Sequence, residues 1–269
     1  MIIKEPKSAL DIDLDYYRKF NDDLATLNNE QLLNHYTQYG RAEGRSNHMC
    51  RRDFVFSIPR NKILEIGPFT NPSLIGNHVK YFDVLDFPEL VKRAKKHSYP
   101  VTHKFKIDYV SSNGDLGIIR EKFSPVFSSH CVEHQVDLIK HINQVENLLE
   151  NTGKYYLIIP DKRYCFDYFI PECSVADVPG AALLRSSERH HPANILKHRA
   201  MITHNDPVQH WSGLHGDIDY NQNLKLTNAL TEIRNNDGYI DVHAWQFTPE
   251  SFKLIINSRP LKTNQPVFG

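Results

Sequence analysis

The sequence predicts an α/β fold, a doubly wound and mostly parallel sheet, preceded by a small helical module. Three observations predict it. From residue 60 onward, short apolar runs that end in turn residues alternate with amphipathic segments at the interval of βαβ units. The first 50 residues differ in character, being polar, tyrosine-rich and apolar only at helical spacing. The 269 residues are 40% hydrophobic and 24% charged, which suits one core of normal size with a small appendage.

The elements follow in order. In residues 1–50, "NNEQLLNHYTQYG" sets Leu32, Leu33, Tyr36 and Tyr39 at helical spacing, and Gly40 reads as the stop. The main domain is expected over 51–269. "KILEIG" and "YFDVLD" are its first two strands, "PELVKRAKKH" a helix, "HKFKIDYV" the third strand and "SPVFSSH" the fourth. "DLIKHINQVENLLE" places Leu138, Ile142, Val145 and Leu149 on one helical face, "NTG" ends that helix, and "KYYLIIP" is the fifth strand. Residues 171–225, rich in His and Asp and carrying Trp211, read as an insertion with short helices. Long irregular segments in compact domains serve as lids or binding loops. In such sheets ligands bind beyond the carboxyl ends of the strands, so the residues that follow each strand are the candidates for chemistry.

Several function classes are excluded early. Lys+Arg and Asp+Glu both number 32, so the formal charge is zero. No basic field favours a nucleic-acid partner, and no acidic one a chaperone-like role. No run of 18 apolar residues predicts a membrane span. "MIIKEPKSALDIDLD" lacks the apolar core and cleavage site of a signal peptide. Cys50, Cys131, Cys165 and Cys173 are scattered without a CxxC pair, which predicts reduced thiols and a cytoplasmic location.

"KILEIGPFTNPSLIG" carries the first functional signal. Glu65 precedes Gly67 and Pro68 at the first strand end, and Asp86 is expected to end the second strand about 20 positions on, the ribose-binding separation of nucleotide-binding sheets. A dinucleotide also needs backbone N–H groups around its pyrophosphate, supplied by a G-x-G-x-x-G turn. Here the turn is "GPFTNPS", with one glycine and two prolines that have no N–H. A nucleoside cofactor without phosphate fits better, and S-adenosylmethionine is the obvious one.

The ordered set "LEIGPFTNP", "VLDF", "KIDYV", "SSHCVEH", "NTGKYYLIIP" and "DKRYCFDYF" resembles the class I SAM-dependent methyltransferases, in the subgroup with LEIGP, SHxxEH and PDKRYxFDyf motifs found in polysaccharide gene sets. The resemblance covers residues 60 to about 250. It implies a Rossmann-like fold and, for the cofactor, Gly67 near the methionine part, Glu65 orienting the turn or the amino group, Asp86 on the ribose and Asp108 on the adenine. His130 would face the same cofactor. The second and third turn glycines are absent, "FDxV" is "FSPV" with Pro125, and "RPLKTNQPVFG" stands where the family's last antiparallel strands are expected, so those strands are expected to be missing or altered. Residues 1–50 resemble a short module seen beside glycosyltransferase and methyltransferase domains, through Tyr17, Asp23, Leu24, His35, Tyr36, Gly40, Glu43, Gly44 and Arg45. That resemblance implies a glycosyltransferase partner docked through residues 1–50.

"SSHCVEH" sets His130, Glu133 and His134 after the fourth strand. If helical from Cys131, it puts His130 and His134 on one face. Imidazoles with a carboxylate suit a divalent metal, and the element is similar to an "ExxEH" motif that binds one in some RNA 2′-O-methyltransferases. The distant candidates are His190, His191, His204, His210 and His215. The alternatives are a metal-free base among these histidines and a purely structural brace. After the fifth strand, Asp161, Lys162 and Arg163 would line the acceptor side, with Arg163 binding an anionic acceptor group or pairing with a nearby Asp. Trp211 would stack on a sugar. The reading is an O-methyltransferase acting on a sugar, glycolipid or polysaccharide, with His130, His134, Asp161 and Arg163 as catalytic candidates. The rival is a catalytically weak scaffold of the same fold. An NAD-dependent epimerase is disfavoured by the missing glycines and the lack of a well-placed Tyr-x-x-x-Lys pair.

Overall fold

The computed structural model describes residues 12–45, 47, 50–183, 189–217, 221–236 and 238–258. The expectation for the tail falls on residues 259–269, outside the described residues. The chain forms two compact units, Met1–Pro59 and Arg60–Gly269.

The first unit holds α1 (Leu14–Lys19), α2 (Asn29–His35), a π-helical turn over Tyr36–Gly40, and α3 (Arg51–Phe56). Asn28 and Gln31 form a capping box that starts α2. Tyr17, Leu24, Leu32 and Tyr36 make its core. The Tyr17 hydroxyl and His35 Nδ1 share a hydrogen bond of 3.1 Å. Gly40 lies against that hydroxyl, and a Cβ there would stand 2.0 Å from it, so no larger residue fits. Arg45 pairs with Asp23 at 2.8 Å and Glu43 at 2.6 Å. The Tyr16 hydroxyl donates to Asp53 of α3 at 2.5 Å.

The second unit is built on five parallel strands in the order β3-β2-β1-β4-β5. They are β1 (Ile63–Ile66), β2 (Val79–Asp83), β3 (Tyr109–Val110), β4 (Phe123–Ser129) and β5 (Leu149–Ile158). α4 (Phe87–Lys96) and α5 (Leu138–Leu148) connect strands. The order is doubly wound, reversing between β1 and β4, which opens a crevice at their carboxyl ends. Every residue of β1 is buried, as expected of a strand covered on both faces. Leu64, Ile66, Phe82, Phe123 and Val126 pack with Val145 and Leu148 of α5. Each such buried side chain contributes about 1.5–3 kcal/mol.

Three local expectations shift. β3 has two residues rather than eight; just before it the Asp108 amide donates to the Tyr81 carbonyl at 2.9 Å, and the Asp108 carboxylate accepts from the Tyr81 amide at 3.0 Å and from Lys80 Nζ at 2.9 Å. "NTG" does not end α5, which stops at Leu148, but lies inside β5. The register slips between Phe123 and Pro125, where Pro125 has no N–H to give. Gly153 is required there, since a Cβ would stand 2.6 Å from the Ser124 carbonyl oxygen.

Beyond β5 come α6 (Asp177–Leu183), α7 (Pro192–Met201), α8 (Pro207–Trp211), α9 (Gln222–Asn235) and α10 (Pro249–Ser258). A bidentate Arg199–Glu232 pair, at 2.9 and 3.0 Å, ties α7 to α9. No helix among the described residues is long and apolar enough to cross a membrane. The four cysteines are unpaired.

Candidate functional site

A cavity of about 900 Å³ opens at the carboxyl ends of β1, β2 and β4. Its floor begins with Gly67, whose amide donates to the Phe82 carbonyl at 2.9 Å and so extends the β1–β2 ladder by one bond. Gly67 has a φ of 70° and Phe69 one of 52°, which turns the chain sharply off the strand. The turn then spends its amides on the protein itself. Phe69 N donates to Asp83 Oδ2 at 3.1 Å, Asn71 N to the Pro68 carbonyl at 3.1 Å, Ser73 N to Glu65 Oε1 at 2.8 Å and Leu74 N to Glu65 Oε2 at 3.0 Å. Glu65 and Pro68 are thus buried supports of the turn and do not line the cavity.

The acid that β2 contributes to the cavity is Asp83, beside Asp137, Glu232 and Asp241 from other segments. The sequence pointed to Asp86 as the end of the second strand. The strand ends instead at Asp83, and exposed Asp86 caps α4 by accepting from Glu89 N at 3.0 Å. Asp83 is 6% exposed. Burial lifts its carboxyl to about 6, although the Val84 and Phe69 amides favour the ionised form. Ser112, Asn113 and Gly114 line the wall beyond β3, whereas Asp108 faces Lys80 and Tyr81 outside it.

His130 follows β4 at a φ of 51°. Its amide donates to the Ile158 carbonyl at 2.9 Å, while its side chain stays half exposed at the cavity. The expected helix from Cys131 is a single 3₁₀ turn, Val132–His134, so His130 and His134 are not two positions of one helical face. Glu133 is fully buried beneath it, and its carboxylate oxygens have no hydrogen-bond partner. The loop is clasped by a distant segment: Ala244 N and Trp245 N donate to the Glu133 carbonyl at 2.8 and 3.2 Å, and Trp245 Nε1 to the Gln135 carbonyl at 2.6 Å.

That clasp delivers two groups absent from the sequence reading. His243 Nε2 comes to 4.0 Å from Glu133 Oε1, and its Nδ1 is held by buried Asp167 at 2.5 Å. Asp241 reaches His134 Nδ1 at 2.9 Å and also engages Arg93 and the Tyr239 hydroxyl. Burial alone would raise Asp241, but His134, Arg93 and Tyr239 hold it well below the usual carboxylate range. Burial works against the charge of His134, and the Asp241 carboxylate outweighs it, so His134 is shifted upward. The signal for His243 was faint: an apolar run, "YIDVHAWQF", interrupted by polar residues.

The remaining candidates are placed apart from the cavity. Arg163 grips Asp161 at 2.9 and 2.6 Å, and neither lines the cavity. Trp211 stacks on Tyr164 at 3.9 Å and 11°, with its other face exposed. His204, His210 and His215 form their own patch, with His210 and His215 Nδ1 atoms 3.0 Å apart, and His191 caps α7. His190 is buried close to Tyr239.

No protein-family model matches this sequence, and no curated protein matches it. Among solved structures, the chain is similar to an S-adenosylmethionine-dependent methyltransferase from Clostridium acetobutylicum ATCC 824. Identity is 14% and the TM-score 0.31, over 54% of this chain and 62% of that one.

Proposed function

We propose that the Arg60–Gly269 unit is an S-adenosylmethionine-dependent O-methyltransferase acting on a sugar, glycolipid or polysaccharide hydroxyl. One observation carries the cofactor assignment. In the turn after β1 the amides of Gly67, Phe69, Asn71, Ser73 and Leu74 are committed internally and positions 68 and 72 are proline, while a buried carboxylate, Asp83, waits at the next strand end in the same cavity. That arrangement suits a ribose without a pyrophosphate. Bound cofactor supplies an electrophilic methyl group on a sulfonium.

The chain's own residues supply position and a proton acceptor. Asp83 accepts from the ribose hydroxyls. Gly67, with no side chain, leaves the turn open to the cofactor. Ser112 to Gly114 flank the base. His130, half exposed at the cavity, takes the proton of the acceptor hydroxyl. His134 serves less well, since Asp241 favours its cationic form. Alignment of acceptor and methyl donor in one cavity provides much of the rate. The sugar acceptor is supported by the motifs around SHCVEH and PDKRY and by the residue 1–50 module, for which we propose docking to a glycosyltransferase.

Calorimetric titration of the full chain tests the reading. S-adenosylmethionine and S-adenosylhomocysteine should bind at micromolar concentration and NAD should not. A folded chain that binds neither sulfur cofactor would overturn the proposal. His130→Ala should keep cofactor affinity and slow transfer by about 10²–10⁴-fold.

A further inference from the structure

Glu133 poses a physical problem. A carboxylate that is fully buried with no hydrogen bond to either oxygen is costly, and the imidazoles of His130, His134 and His243, 3.6–4.0 Å from Oε1, offset its desolvation only in part. It is also not alone. Asp167 Oδ1, both ring nitrogens of His190 and Nδ1 of His198 are buried without partners. These groups share one neighbourhood: Asp167 bonds His243, the His198 ring lies 5.9 Å from that of His243, and His190 feels the charge of His134. Native proteins leave few such atoms, and a cluster of them marks the place of an ion or water.

We propose that Glu133, His134 and His243 bind a divalent transition-metal ion of the zinc type. Their ligand atoms, one from each residue, all lie within 4.8 Å of one another. Ligands about 2.0–2.2 Å from a tetrahedral zinc stand about 3.3–3.6 Å apart. The two imidazole nitrogens at 4.0 Å from Glu133 Oε1 therefore need to close by less than 1 Å. The outer atoms are already arranged for this. Each ring turns Nε2 toward Glu133 with a carboxylate beside its Nδ1: Asp167 bonds that of His243 at 2.5 Å, and Asp241 lies 2.9 Å from that of His134. At His243 that bond fixes the tautomer in which Nδ1 keeps its proton and Nε2 offers a lone pair, the arrangement that supports metal-bound histidines; at His134 a metal would take the place of the Nε2 proton while Asp241 stays beside Nδ1. Two imidazoles and one carboxylate select zinc, cobalt or manganese over magnesium or calcium. The ligand set differs from the sequence expectation in one residue. His130 lies 3.6 Å from Glu133 but outside the converging group, and His243 takes its place.

The proposal stands on this geometry and not on the methyl-transfer reading, and metal binding is measured without cofactor or acceptor. Full-length protein stripped with EDTA is titrated with zinc chloride in competition with a chromophoric chelator. One tight site per chain is expected, with a rise in melting temperature that grows with free zinc. Glu133→Gln and His243→Ala should each weaken that site by about 100-fold or more, Asp167→Asn by about 10- to 100-fold, and His130→Ala by less than about 3-fold. Cobalt(II) added to the unmutated protein gives a readout that no folding defect disturbs. Intense visible bands of a low-coordinate nitrogen and oxygen site are expected. A cobalt spectrum unchanged from the aquo ion, or a tight zinc site that survives both Glu133→Gln and His243→Ala, would overturn the assignment.

Discussion

Asp83→Asn and Asp86→Asn are near-identical chemical changes three residues apart, and the structure assigns them opposite consequences. Asp83 sits 6% exposed at the cavity wall and accepts from Val84 N at 2.7 Å and Phe69 N at 3.1 Å. An asparagine there keeps its oxygen on one amide and turns its NH₂ against the other, forfeiting a charge-assisted bond of about 1.5–3 kcal/mol. Burial offsets this. The carboxyl is raised from 3.8 to about 6, so above that pH the ionised side chain carries a penalty of about 3 kcal/mol that asparagine does not. That rise is already net of the amide bonds, so Asp83→Asn should not destabilise the fold at neutral pH and can raise its stability by up to about 3 kcal/mol. Cofactor affinity has no such compensation. Losing a charged acceptor for the ribose hydroxyls costs about 1.5–3 kcal/mol, a 10- to 150-fold rise in Kd. Asp86→Asn should do neither, because asparagine caps a helix as well as aspartate. Calorimetry with S-adenosylhomocysteine beside thermal melts separates the cases. Binding by the unmutated protein should also weaken as pH falls through about 6, where Asp83 takes up its proton. The reasoning is refuted if Asp86→Asn weakens binding more than Asp83→Asn, or if Asp83→Asn stays within about 2-fold of the unmutated chain.

Two further outcomes follow from buried groups. Glu65→Gln removes one of the two acceptors that hold Ser73 N and Leu74 N and sets a donor against a donor, so urea unfolding should show a loss of about 2–3 kcal/mol; an unchanged midpoint would mean the turn is held by other means. His141 is buried against the Tyr155 hydroxyl at 3.0 Å, and burial lowers it from 6.5 to about 4. Its neutral form is the folded one, so stability is full above pH 6.5 and falls as pH drops toward 4, by up to about 3 kcal/mol. His141→Leu leaves Tyr155 its bond to Ser128 at 2.8 Å and should flatten that acid slope; an equally steep slope in the variant would assign the acid sensitivity elsewhere.

The sheet was legible because parallel strands covered on both faces read as unbroken apolar runs, as "KILEIG" does. The turn was legible through its prolines, whose missing N–H groups need no structure to be counted. Asp83 was misjudged because "YFDVLD" offers two aspartates after apolar residues, and nothing local says where pairing stops. The stop is set across the sheet, where Ile66 pairs with Phe82 and Gly67 N takes the Phe82 carbonyl. His243 was illegible for a stronger reason. Its place beside Glu133 depends on a backbone bond from Ala244 N to the Glu133 carbonyl, a contact across all the elements from α5 to α9 that leaves no periodic trace. The N-terminal pattern shows the reverse, since Tyr17, His35, Tyr36, Gly40 and Arg45 bond or pack within their own unit.

The clasp on the Glu133 carbonyl also sets an order of events during synthesis. All five strands are complete in the chain by Ile158, and their pairings lie between Ile63 and that residue. The partners of the loop, Asp241 to Trp245, leave the ribosome only afterwards, behind α6, α7, α8 and α9. At the roughly 5–20 residues per second of translation, the sheet has several seconds in which to form before its histidine cluster can close. A nascent chain halted soon after Ile158 therefore lacks the segment that clasps the Glu133 loop, and the centre can close only once Trp245 has emerged, with α10 alone among the described helices still to follow.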